Sequence, residues 1–164
     1  MHYRVWIGTH PRAALTRALF ASTVAPLVTS PLGWTKHGFR FTIIDTRNDA
    51  DITIELTPQR ILDNQFPDFA MERLSVCNLR SKQIFVNEGR WLGIYTDNKS
   101  ALPLAAYRMY VIQHELGHAL GISQHAIVHD PTHPCPVMVQ QTKGTHGAPP
   151  NPFPTAADVQ LLPS

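Results

Sequence analysis

The sequence predicts an α+β fold in which strands fill the first part and one long helix precedes an irregular tail. Three observations predict it. Short runs rich in β-branched and aromatic residues recur between residues 3 and 87. An apolar period of helical spacing runs from about Pro103 to Leu120. Beyond Gly121 prolines and histidines crowd the chain and the periodicity stops. With 164 residues, 43% of them hydrophobic and 16% charged, the chain suits a single domain spanning 1–164 with a core of its own.

Tyr3-Arg4-Val5-Trp6-Ile7 alternates and reads as the first strand. Pro11 opens a helical stretch to about Val24, with Leu15, Leu19 and Phe20 at helical spacing, and Pro26, Pro31 and Gly33 end it. Strands follow at Phe39–Ile44 and Ile52–Leu56, the second in strict alternation. Thr57-Pro58 caps a short helix through Leu62. Arg73–Cys77 and Gln83–Asn87 read as a strand pair about a turn at Asn78–Ser81, and Asn98–Ser100 is a loop. The helix of 103–120 carries Tyr107, Val111, Ile112, Leu116, Ala119 and Leu120, with Gly121 as its left-handed cap. Residues 122–154 lack periodicity, and a stretch of that length is either functional or disordered. A last short helix, Thr155–Leu162, has Thr155 as its N-cap.

The net charge of +2, with its Lys and Arg scattered, excludes a nucleic-acid-binding surface. No apolar run approaches the about 18 residues that a membrane span needs. Ala13–Val28 leans apolar but contains Arg17 and Pro26, so it reads as an amphipathic helix and not as a signal peptide, although the mature part of a secreted protein would look the same. Cys77 and Cys135 are either two buried thiols or one disulfide, which would close a long loop and stabilise by roughly 4 kcal/mol. The chain has nine histidines, and several fall between 114 and 146, which points to metal chemistry there.

His114-Glu115-Leu116-Gly117-His118 is an H-E-x-x-H pattern on the strongest helix of the chain. Four residues advance a helix by about 400°, so both imidazoles leave one face about 6 Å apart along the axis. That separation lets both bind one tetrahedral Zn²⁺ at about 2.0–2.1 Å. Glu115, next to His114, can take a proton from a zinc-bound water whose pKa the metal lowers towards about 7. A helix this apolar is buried, where an unpaired pair of histidines would be costly, so the metal reading outweighs two ordinary core histidines.

Several further segments are specific. Leu74-Ser75-Val76-Cys77, Ile84-Phe85-Val86-Asn87-Glu88-Gly89-Arg90-Trp91 and Tyr107-Arg108-Met109-Tyr110-Val111-Ile112-Gln113 lead into the metal helix. Pro136-Val137-Met138-Val139-Gln140-Gln141-Thr142-Lys143-Gly144 and Pro150-Asn151-Pro152-Phe153-Pro154 follow it. With Asp49-Ala50-Asp51-Ile52, they resemble the metzincin-like family of zinc peptidases found mainly in actinobacteria, over about residues 40–155. The resemblance implies a zincin-like fold: a twisted mixed sheet over the active-site helix (about 1–121) and a short irregular lower subdomain (about 122–164). It implies zinc as cofactor and a zinc-dependent endopeptidase activity, with Glu115 as general base, His114 and His118 as ligands, and Met138 in a Met-turn. In metzincins the third ligand falls six residues after the second histidine; that position here is Gln124, and His125 follows it. A one-residue insertion after Gly121 brings His125 to the metal. His129 is the next choice, followed by Asp130, His133 and Gln124. Residues 122–164 contain no Glu, which disfavours a zinc site with a later glutamate ligand. The resemblance also implies export to an extracellular setting, which would suit a Cys77–Cys135 disulfide.

Such folds bind a peptide or protein substrate as an added strand, and 82–98 is the segment expected to offer that edge. Trp91 is expected in the core. No tyrosine follows Met138, so the phenolic donor of some metzincins has no counterpart. The chain is expected to act as a monomer. A second reading, a zinc-stabilised binding module or inactive pseudoprotease, would have protein ligands closing the metal, with Gln124 or His129 in the water position. A third has Cys77 holding the enzyme latent by binding zinc.

Overall fold

The computed structural model describes residues 1–164. Five strands form one mixed sheet: β1 (His2–Thr9), β2 (Arg40–Ile44), β3 (Ile52–Thr57), β4 (Val76–Asn78) and β5 (Gln83–Asn87), in the order β2-β1-β3-β5-β4. All neighbours are parallel except the β4–β5 hairpin. In that hairpin Asn78 Oδ1 accepts from the Arg80 and Ser81 amides at 3.1 Å and closes the turn. β3 lies in the middle of the sheet, and all six of its residues are buried. Its alternation survives as chemistry. Ile52, Ile54 and Leu56 enter the main core. Thr53, Glu55 and Thr57 are buried on the other face, where Arg47 pairs with Glu55 at 3.0 Å and lies 4.8 Å from the Trp6 ring centre.

The helices are α1 (Arg17–Val28), α2 (Gln59–Gln65), α3 (Glu88–Trp91), α4 (Leu104–Ala119) and α5 (Ala156–Val159). α1 starts six residues later than Pro11 suggested, because the Thr16 hydroxyl accepts from the Leu19 amide and fixes the N-cap there. It also runs through Pro26. The carbonyl that Pro26 leaves without a helical donor belongs to Ser22, and both residues face solvent. α2 begins after Pro58, with Thr57 ending β3 rather than capping. α3, which no periodicity announced, is capped by the Asn87 side chain accepting from the Arg90 amide.

The main core joins Val5, Phe20, Trp34, Ile54, Trp91, Ile112, Leu116 and Met138, so strands, α1, α4 and the tail share one apolar cluster. Trp91 is in it, packed edge-on against Phe20 at 5.0 Å between ring centres. Two expectations are corrected. Segment 82–98 does not supply a sheet edge: β5 lies between β3 and β4, and the edge strands are β4 and β2. The Cys77–Cys135 disulfide is not formed, and both thiols are free. Cys77 packs on the main core from β4, whereas Cys135 is buried with Val139 and Ala148 in a separate small cluster. No helix is long and apolar enough to cross a membrane.

Candidate metal centre

α4 presents the site because Gln113 locks it against the rest of the core. The fully buried Gln113 side chain donates to the Leu27 carbonyl at 2.7 Å and accepts from the Trp34 amide at 3.2 Å. The Trp34 indole donates to the Gln113 carbonyl at 2.7 Å. At the other end Gly121, at φ +114°, ends the helix. Its amide donates to the His118 carbonyl, and that of Ile122 to the Gly117 carbonyl, which is a Schellman closure. The chain turns back sharply, and the next residues cross in front of the helix.

Three imidazoles meet there. One ring nitrogen from each of His114, His118 and His125 lies within 4.8 Å of the others, a separation that suits a single metal ion. The ring centres are 4.9 Å apart for His114 and His118, 5.3 Å for His114 and His125, and 5.1 Å for His118 and His125. His125 reaches the group because the buried Ile122 anchors one end of its loop and the Ala126 amide, bonded to the Met138 carbonyl at 3.0 Å, anchors the other. Gln124 is exposed. His129, Asp130 and His133 line a different groove with Pro134 and Phe153, away from the three imidazoles. Cys77 borders the metal cleft but is not part of the ligating cluster.

The hydrogen bonds fix two tautomers. His114 Nδ1 lies 2.7 Å from the Val137 carbonyl and His118 Nδ1 lies 2.7 Å from the Ile122 carbonyl. A carbonyl only accepts, so each Nδ1 carries the proton and each Nε2 offers its lone pair. Burial, then the neighbouring His118, holds His114 well below the usual histidine range. Burial also lowers His118. Burial of its ring, then the His118 and Lys143 charges, pushes His125 down to about 4, with Glu72 opposing, although the residue keeps an exposed side. All three favour the neutral form that binds metal. The donor set, three imidazoles in the neutral form, fits a zinc ion.

Glu115 is buried beside them, its Oε2 has no hydrogen-bond partner, and burial pushes its carboxyl up to about 8. A buried carboxyl oxygen without a partner in the same cleft as three imidazoles is a second feature that a bound cation would suit. The cleft in front holds about 250 Å³ between α4 and β4, walled by Leu74, Val76, Leu79, Tyr107 and Val111. Its lip, the 3-10 turn Pro67–Glu72, is held by the buried Arg90, whose guanidinium donates to the Arg73 and Glu72 carbonyls and pairs with Asp97. A Glu72–Lys143 ion pair at 2.9 Å joins that lip to the tail.

Met138 is fully buried directly behind the helix: a Cβ on Gly117 would meet its sulfur at 2.3 Å. The turn it occupies is tied to α4 by Tyr110, whose hydroxyl donates to the Val139 carbonyl and accepts from the Gln141 amide. Sequence reasoning passed over Tyr110, Gln113, Arg90 and Asp158. Tyr110 lies one helical turn before His114 on the same face, and Asp158 is the N3 residue of a Thr155 capping box, so two of the four left a signal. Among curated proteins, none matches the chain. The chain belongs to the family described as "Protein of unknown function (DUF3152)", which matches residues 3–153 and so takes in the histidine cluster, Glu115 and the Met138 turn.

Proposed function

We propose that the protein is a zinc-dependent peptidase of the metzincin type, with Glu115 as general base. One observation carries the reading: three imidazole nitrogens converge in a cleft that also contains a buried carboxyl oxygen without a partner. His114, His118 and His125 would hold the ion. Zinc supplies Lewis acidity, which makes water a nucleophile near neutral pH and polarises a carbonyl. Glu115 accepts the proton of the attacking water and passes it to the departing amine nitrogen. Burial pushes the Glu115 carboxyl up to about 8, and a cation held by the three imidazoles would lower it and so favour the carboxylate that serves as base. β4 pairs only with β5, so its free edge along the cleft can take an extended substrate as an added strand. The apolar walls then receive a hydrophobic substrate side chain.

The test combines metal analysis with cleavage of a diverse peptide mixture, read by mass spectrometry, for wild type, Glu115→Ala and chelated protein. The proposal expects one zinc per chain and cleavage by the untreated wild type alone. Glu115→Ala should keep the metal and lose about 10²–10⁴-fold in turnover. Cleavage by that variant at the wild-type rate would overturn the mechanism. Bound zinc without cleavage in any sample would leave a narrow specificity or a zinc-stabilised binding module, and spectroscopy of the cobalt-substituted protein would separate them by whether the metal keeps an exchangeable water.

A further inference from the structure

We infer that Asp158 is a positioning residue for the metal centre, acting on His114 through the Val137–Met138 peptide group; the inference rests on the metal reading above. Val137 C=O and Met138 N–H belong to one planar trans peptide and point in opposite directions. On one side the carbonyl accepts the His114 Nδ1–H at 2.7 Å. On the other the Met138 amide donates to Asp158 Oδ1 at 2.8 Å. Asp158, one peptide and one imidazole, joined in series, thus lead from a carboxylate to the ligating nitrogen. Metal-bound histidines commonly donate directly to a carboxylate, which fixes the ring and raises its basicity. Here a peptide stands between the two, and a chain of aligned hydrogen bonds polarises each of its members.

The surroundings of Asp158 support this role. It is fully buried on α5, and its four bonds all come from donors: the Val137 and Met138 amides, and the Thr155 amide and hydroxyl of the capping box. None of the six ion pairs of the chain involves it. With no cationic side chain beside it, the Asp158 carboxylate is held by these donated bonds, and two of them come from the turn that orients His114. The peptide it grips carries that charge towards the histidine cluster. His118 provides an internal control. Its Nδ1 also donates to a main-chain carbonyl at 2.7 Å, but the amide of that peptide, on Ser123, has no carboxylate partner.

The test is Asp158→Asn, which keeps the size of the side chain and removes its charge. Zinc affinity is measured by chelator competition in wild type, Asp158→Asn, His114→Ala and the double variant. The inference expects Asp158→Asn to weaken zinc binding about 10–100-fold. It expects that loss to vanish in the His114→Ala background, because the effect runs through His114. An equal loss in both backgrounds, or unchanged affinity with only a lower Tm, would overturn it. Should Asp158→Asn fail to fold, NMR of the metal-free wild type answers instead. The His114 Hδ1 proton should lie downfield of the His118 Hδ1 proton, and coincident shifts would sink the inference. A wild type that takes up neither zinc nor cobalt removes the metal reading, while the NMR comparison still decides whether the hydrogen-bond chain polarises His114.

Discussion

Glu115 is the residue at which folding and chemistry pull apart. Its carboxyl is buried without a partner for Oε2, and burial lifts it from 4.5 to about 8. A carboxyl raised in the folded state adds stability that is complete below its unfolded value and is lost as pH climbs through the folded one. Glu115→Gln removes that loss. The metal-free variant should therefore be more stable than wild type at pH 8, by at most about 4 kcal/mol and by less once the site relaxes, while turnover of the zinc form falls. Thermal melts with chelator present check the first half, and equal or lower stability of the variant would contradict the burial argument. The histidines should separate in a similar way. His125 is exposed and makes no hydrogen bond, whereas His114 is buried and bonded to Val137. His125→Ala should thus weaken metal binding with little change in metal-free Tm, and His114→Ala should lower both. Calorimetry of the two chelated variants separates them.

At the scale of elements, α4 packs on the Met138 turn with no room for a side chain at Gly117. Ala at Gly117 would place its Cβ 2.3 Å from the Met138 sulfur and 2.9 Å from the Trp34 ring, both fully buried. The sulfur can rotate away only into packed core, and the indole is pinned by its bond to Gln113. Gly117→Ala should cost about 1–3 kcal/mol and reduce zinc affinity, because the helix must lift off the turn that orients His114. Denaturant unfolding and chelator competition on the same variant test both parts, and an unchanged affinity would free His114 from this contact. Much of this architecture was legible in the sequence. The β-former runs at 3–7, 39–44, 52–56 and 83–87, the helix of 103–120 and its Gly121 cap all stand where period and turn chemistry put them. What was hidden depends on distance in space. Strand order decides that β4 and not 82–98 forms the edge, and no local pattern records strand order. The cysteines fall in two separate clusters, which spacing along the chain cannot show, so the thiols carry no argument for an oxidising compartment. In the sequence Asp158 is only an acid within the short helix that Thr155 caps. Its bonds to Val137 and Met138 exist only once the tail has folded back across the core.

Across the whole molecule, the site should give the metal-free protein a narrow pH range of stability. His114, His118 and His125 all have lowered values against an unperturbed 6.5, with His125 near 4. A histidine lowered on folding adds stability that is complete above 6.5 and drains away as pH falls, since the unfolded chain takes up protons that the folded site refuses. Glu115 acts in the opposite sense, draining stability as pH rises from 4.5 to about 8. Below 6.5 three groups outweigh one, and above it only Glu115 still titrates, so metal-free stability should peak near pH 6.5. Bound zinc would change both limbs. It would hold the imidazoles deprotonated until acid competed it away, and its charge would favour the Glu115 carboxylate. The zinc form should keep its Tm across the alkaline limb where the chelated form loses it, and its gain should shrink in acid as protons displace the metal. Differential scanning calorimetry from pH 5 to 9, with zinc and with chelator, tests this directly. Parallel curves for the two forms would mean that the histidine cluster and Glu115 do not share one bound cation.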